Sequence, residues 1–463
     1  MTEKSASSIR EENKMGVMPV EKLVINMSLP MMISMLVQAL YNIVDSIFVA
    51  KLSENALTAV SLAFPLQTML IAVSAGTGVG INAVLSKSLG EKNYKRVNSS
   101  ATNGAFLIFL SYLVFLVVGL VFVKPFYAGQ VGNADPQIYE YGVEYLTIVL
   151  VCSFGLMAQV FFERLLTSTG KTMFSMISQL IGAVTNIILD PILIFGMFGA
   201  PKMGVAGAAV ATVIGQCLAG AASIFFNIKY NKEISFSFKG FRPDPTISKI
   251  IYKVGVPSII MQSIGSVMTY TMNLILISFS ATATAVFGVY FKLQSFFFMP
   301  LFGMNNGITP IIAFSYGAQQ RKRMIKTIKF SLGIALGLMV FGFLAFEFAP
   351  AFLLGFFDAS PEMLAIGVPA LRIIGIHFLI AWFCIIVGTV FQALSCAGYS
   401  LVVSVMRQLV VLLPAAFILA KLGGLNAVWW SFPIAELMSF AVSTFYFIKI
   451  YKTIISKLPE GND

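Results

Sequence analysis

The chain is short of charge. Only 11% of its 463 residues are Asp, Glu, Lys or Arg, where soluble domains carry about a quarter. With 58% hydrophobic residues and a mean hydropathy of +0.87, this deficit excludes a soluble enzyme made of ordinary globular domains. There is one histidine, His377, and it has no Cys, Asp or His partner at ligand or triad spacing. An intramembrane enzyme, which would need such a constellation, is therefore disfavoured. The four cysteines (Cys152, Cys217, Cys384 and Cys396) lie in or beside apolar runs without metal-ligand spacing. They read as packing residues, not a disulfide framework. The period-two alternation of an outer-membrane barrel is missing as well.

What the chain has is long unbroken apolar runs. A membrane-spanning helix takes roughly 20–25 residues, and hydropathy marks twelve candidates. They run at about 23–48, 57–84, 101–123, 143–166, 173–197, 204–228, 254–279, 282–312, 326–349, 366–394, 399–420 and 426–450. The expected fold is an all-α polytopic membrane protein. The polar stretch through Met18 reads as an uncleaved tail, because the apolar run after it is too long for a signal core.

The net charge of +11 sits in alternate loops. Lys87, Lys92, Lys95 and Arg96 follow the second helix, and Arg164 and Lys171 flank the end of the fourth. Lys229, Lys232, Lys239, Arg242, Lys249 and Lys253 follow the sixth, and Arg321, Lys322, Arg323, Lys326 and Lys329 the eighth. Lys449, Lys452 and Lys457 close the chain, while the intervening loops hold only Lys51, Lys124, Lys202 and Lys421. This bias places both termini in the cytoplasm and accounts for the basic balance without a nucleic-acid partner.

The loop 229–253, with Arg242-Pro243-Asp244-Pro245, separates two sets of six helices. The expected organisation is a tail 1–22, a first lobe 23–228, a linker 229–253, a second lobe 254–450 and a tail 451–463. The lobes are a repeat. When Pro257 is laid on Pro30, Gln294 falls on Gln67, Gly303 on Gly76, Gly307 on Gly80, and Ser315–Arg323 on Ser88–Arg96. Further on, Ser395–Gly398 matches Thr167–Gly170 one residue out of register. Both halves start on the same side, so the repeat is parallel, one of the standard plans of transporters.

Function is sought where the repeat breaks its symmetry, since ionisable residues inside spans are functional candidates by default. The mid-span set is Asp45, Asp190, Lys292, Glu347, Arg372, Arg407 and Glu436. Gln38, Asn42 and Asp45 share one face of the first helix, and Gln179, Asn186 and Asp190 one face of the fifth. The second-lobe partners of the two acids are Met272 and about Ile418, so only the first lobe is acidic there. Paired carboxylates in low dielectric suit a shared proton or a small hard cation such as Na⁺. Pro191 frees the carbonyl of Ile187 as a further ligand or bend point. Polar and soft side chains outline an expected substrate cavity: Gln67, Gln262, Asn273, Gln294, Phe297, Met304 and Asn305.

The chain resembles the multidrug and toxic compound extrusion (MATE) family, prokaryotic branch, from about Leu23 to Lys452. The residues that carry the resemblance are Leu40–Ala50, the Gly170-Lys171-Thr172 turn, Asn186–Gly196, Gly204–Thr212 and Arg407–Val410. The resemblance implies a two-lobed antiporter of the bacterial or archaeal cytoplasmic membrane. Such a protein exports cationic and amphipathic compounds in exchange for H⁺ or Na⁺, with no other cofactor and as a functional monomer. It also implies a first-lobe cation site at Asp45, Asn186, Asp190 and Thr212. Relatives that use acids in the seventh and tenth helices differ here, where the tenth offers Arg372 and His377. A flippase for lipid-linked precursors is the alternative within transport.

Overall fold

The computed structural model describes residues 12–131, 136–235, 241–357 and 359–459, and among them helix predominates, with no strand. The first six spans are α1 (Val20–Leu52), α2 (Glu54–Gly90), α3 (Tyr94–Val131), α4 (Pro136–Val151 and Phe154–Ser168), α5 (Thr172–Phe195) and α6 (Val205–Tyr230). The second six are α7 (Pro245–Ile277), α8 (Ala281–Gly317), α9 (Arg321–Phe348), α10 (Pro361–Gly375 and Phe378–Ala393), α11 (Ala397–Val428) and α12 (Ser431–Lys457).

Ten of these are single long apolar helices, and α4 and α10 are pairs bent by 41° and 50°. The bends fall on the fourth span of each half, as the repeat requires, but neither carries a proline to announce it. Some helices begin outside their apolar cores because polar caps, invisible to hydropathy, close them. Ser53 and Ser280 cap α2 and α8 by accepting from Ala56 N and Ala283 N. Asp244 caps α7, with Pro245 in the first turn, so α7 begins nine residues before the expected 254.

One register expectation is corrected. Gly170 and Ser395 both adopt positive φ (86° and 60°), so they are the equivalent residues of the turns before α5 and α11. Ser395–Gly398 therefore does not lie on Thr167–Gly170. Counted from this turn, the partner of Asp190 is Ala415, or Ala416 once the extra residue of the π-helical stretch Met406–Leu412 is allowed for. It is not Ile418. The second lobe still has no acid there.

Within the first lobe α6 packs on α4 and α5, and α1 on α5; in the second, α10 packs on α9 and α12. Between the lobes α2 lies on α7 and α1 on α8. This seam is tight at the face bearing the basic loops. A Cβ on Gly307 of α8 would stand 2.7 Å from Ser28 Cα and 2.8 Å from the Met27 carbonyl oxygen of α1. Its repeat mate Gly80 meets the Ile251 carbonyl in the same way. A short helix, Lys14–Val17, covers the seam. Asn13 donates to the Thr169 carbonyl and to Glu233, both at 3.0 Å, and Arg323 of α9 donates to the Met15 carbonyl at 2.8 Å. The segment thus ties both lobes together. Toward the opposite face Leu40, Ile43 and Phe64 of the first lobe and Val267 and Tyr270 of the second are exposed.

Candidate functional site

The two acids come together. α6 begins with a run of small residues, and a Cβ on Gly215 would meet the Gly182 carbonyl oxygen of α5 at 2.7 Å. That close crossing sets Thr212 beside Asn186, whose amide donates to Thr212 Oγ1 and to Asp190 Oδ1, both at 3.3 Å. α1 packs on the same helix and sets the Asp45 carboxyl beside that of Asp190. Asp190 is fully buried and Asn186 nearly so. Among the described residues three buried oxygens here have no partner: Asp45 Oδ1, Asn186 Oδ1 and Asp190 Oδ2. Unpartnered buried acceptors are costly, and facing carboxyls repel unless a proton or cation lies between them. The chemistry of the donor set fits either ligand. Among the described residues there is no cluster of three His, Cys, Asp or Glu able to hold a metal.

Next to this cluster, between the lobes, lies a cavity of about 660 Å³, within the size range of drug-binding pockets. Asn186, Thr212 and Gln38 line it, joining the acid cluster to its wall. Of the expected substrate residues Gln262 and Asn305 line it too. The others do not. Gln67 donates to Tyr145 Oη at 3.0 Å beside the acids. Phe297 packs against Phe346 and Phe378, and Met304 is fully buried in the core. Asn273 and Gln294 are half-buried away from the cavity, and Asn42 is exposed and does not line it. Sequence spacing fixes angular position on one helix but not which neighbour covers that face.

A model of the MatE family matches the chain twice, over residues 30–192 and 257–418. The chain belongs to the MatE family. The two matches begin on Pro30 and Pro257, the pair on which the repeat was laid. This MatE chain is 28% identical over 419 residues to the multidrug export protein MepA of Staphylococcus haemolyticus (strain JCSC1435), covering 90% of each chain. To MepA of Staphylococcus aureus (strain MSSA476) it is 28% identical over 424 residues, covering 90% and 91%. It also shares its fold with a multidrug resistance MATE family transporter of the MOP superfamily solved in an outward-facing conformation (TM-score 0.90, 23% identity, covering 97% and 99%). A MOP superfamily transporter from Pyrococcus furiosus, whose binding pocket is described as reversed in polarity, matches at TM-score 0.86 with 24% identity over 96% and 98%. As a MatE protein the chain is a multi-pass membrane transporter with two six-helix lobes, not an enzyme.

Several residues of this MatE cavity escaped sequence reasoning. Tyr41, one turn from Asp45, lines the cavity, while Tyr145 lies off it and accepts from Gln67. Glu163 of α4 is buried and lines the cavity, accepting from Gln159 at 3.0 Å and from Gln179 at 2.7 Å. Arg164 reaches across the seam to Asn306 of α8 at 2.8 Å, its stem lying over Gly78. In the second lobe Arg407, on the π-helical stretch, lines the cavity and meets the buried Glu436 at 3.4 Å. Arg407 and Glu436 already stand in the mid-span set read from the sequence; Glu163, an ionisable residue inside a span, carries the same signal. Lys292 and Arg372, by contrast, sit outside the cavity, over Phe357 and beside Glu347.

Proposed function

We propose that this chain is a secondary active multidrug efflux antiporter, exporting cationic and amphipathic compounds in exchange for H⁺ or Na⁺ by alternating access of its two lobes. The observation that carries the proposal is the Asp45–Asp190 pair, which together with Asn186 presents three buried oxygens without a partner among the described residues, joined through Asn186 and Thr212 to the wall of the interlobe cavity. The activity for which the staphylococcal relatives are named, multidrug export, agrees with it. In this reading Asp45, Asn186, Asp190 and Thr212 take up the coupling ion, and Gln38 and Tyr41 pass its arrival on to the cavity. The lobes are 23–228 and 254–450, joined by the linker 229–253. The basic face is cytoplasmic, the membrane is the cytoplasmic membrane of a bacterium or archaeon, and the protein works as a monomer. The tight seam at the basic face then closes the cytoplasmic side.

Ion loading shifts the lobes only by its difference in affinity between the two states. Neutralising the acid pair allows α1 and α5 to repack, which is the differential contact the mechanism needs. A flippase for large anionic headgroups fits less well, because the cavity wall carries the acid Glu163 as well as Arg164 and Arg407. The test is transport in proteoliposomes, with a fluorescent organic cation and a Na⁺ or pH gradient imposed one at a time. One of the two gradients should drive accumulation. A response to neither would remove antiport.

A further inference from the structure

The basic face carries a device that the repeat does not account for. Arg96 and Arg323 are repeat mates, each the third residue of its helix, α3 and α9. Arg96 turns back to Glu91 of its own lobe, at 3.7 Å. The mate of Glu91 is Ala318, so the second lobe offers Arg323 no acid in that turn. Arg323 reaches outward instead. Its Nε donates to the Met15 carbonyl at 2.8 Å and its Nη2 to the Met18 carbonyl. These carbonyls lie at the C-terminal end of the short helix Lys14–Val17, where orphan acceptors need a donor and a planar guanidinium fork fits them.

The first lobe holds the same segment from the other side. Asn13 donates to the Thr169 carbonyl and to Glu233, and Glu233 is itself fixed by Lys171 at 2.8 Å. Between the two anchorages Met15 is fully buried. A Cβ on Gly170 of the first lobe would stand 3.4 Å from the Met15 side chain, and one on Gly16 would stand 3.4 Å from the Phe314 ring of α8. The segment is thus wedged between the lobes. Met18 and Pro19 alone separate the short helix from α1, and two residues reach about 7 Å at most. It cannot follow both lobes when they part.

We infer that residues 13–18 are a latch on the basic face, which holds the lobes together while the seam is closed and must leave Arg323 before that face opens. This rests on the alternating-access reading. The side that lets go is the second lobe. Its hydrogen bonds to the segment come from one side chain, Arg323, whereas the first lobe keeps it through Thr169, Glu233 and the 2.7 Å bond from Lys14 to Asn26 of α1.

The test uses the full-length protein in lipid nanodiscs, at fixed pH and without an ion gradient. Two quantities are read: amide exchange over 13–18, and the distance between spin labels at Lys95 and Gln319, exposed residues of opposite lobes, with the four cysteines replaced. Arg323→Gln frees the segment from the second lobe and Asn13→Ala frees it from the first, so either variant serves if the other does not fold. Each is expected to speed exchange at least about tenfold and to shift the distance upward. The double variant should shift it little further than either single one, because one free end already releases the lobes. Lys322→Gln, which removes an exposed charge beside Arg323, should change neither quantity. Faster exchange at an unchanged distance means a docked segment that does not hold the lobes. Unchanged exchange in Arg323→Gln means that Arg323 is not the catch. Either result overturns the inference. The expected release and distance shift without gradient-driven export would refute the antiport reading alone.

Discussion

The lobe seam makes a quantitative prediction at Gly307. Alanine there places its Cβ 2.7 Å from Ser28 Cα and 2.8 Å from the Met27 carbonyl oxygen, both backbone atoms that cannot rotate aside. Ordinary contact begins at 3.4 Å, so α1 and α8 must part by about 0.7 Å (3.4 − 2.7). Overpacking of this kind costs about 1–3 kcal/mol, which shifts a two-state equilibrium by about 5- to 150-fold. The cost falls only on the state with the seam closed at the basic face. Gly307→Ala should therefore populate the state open at that face. Spin labels at Lys92 and Gln319, exposed turn residues on opposite lobes, report the separation once the four free cysteines are replaced. The distance distribution should move to longer values, and adding Gly80→Ala should contribute less than its own single effect, because the seam is already open. Gly337→Ala, where an added Cβ meets nothing within 4 Å, is the control. An unchanged distribution in Gly307→Ala would refute the reasoning that this seam separates the two states.

Three further predictions follow from other parts of the molecule. Asp45→Asn and Asp190→Asn should each reduce gradient-driven export to the level of empty vesicles at unchanged protein content; normal export by both variants removes the coupling assignment. Gln179→Leu takes one of two donors from the buried Glu163 carboxylate, so thermal unfolding should report a loss of about 1–3 kcal/mol, and an unaltered midpoint contradicts the account of that wall. Lys14, outside the membrane, is pushed down from 10.5 to about 8 by burial and then by the neighbouring Lys171 ammonium. The docked form favours neutral Lys14, so attachment of the short helix is strongest above about 10.5 and is lost as pH falls through about 8. Hydrogen exchange over 13–18 should speed up accordingly, and Lys14→Met should abolish the slope; a variant that keeps it removes Lys14 as the cause.

Much of the architecture was legible because membrane burial is written in composition. The apolar runs located twelve spans, and the repeat laid on Pro30 and Pro257 anticipated the two family matches and the shared caps at Ser53 and Ser280. Helix ends were not legible, since capping by Asp244 depends on one polar side chain that hydropathy ignores. The bends of α4 and α10 carried no proline to mark them. At the site, Asp45 and Asp190 stood out as acids in apolar helices, and the structure brings them together. Asn42 is exposed, and Met304 and Phe297 turned into the core, because residues on one helical face meet whatever neighbour packs there. Glu163 is missing from the mid-span set, and Arg164 reads in the sequence only as a charge flanking a loop, for a related reason. Their significance lies in partners far along the chain, Gln179 and Asn306, which no local pattern reveals.

The central claim is that the acid pair holds the coupling ion in competition with substrate. The measurement that tests it most directly is ion release on substrate addition, made on the purified protein in weak buffer with a proton indicator and a Na⁺ electrode. The account predicts that substrate displaces one of the two ions from the unaltered protein and neither from Asp45→Asn or Asp190→Asn. Release of the same ion in full by both variants would contradict it.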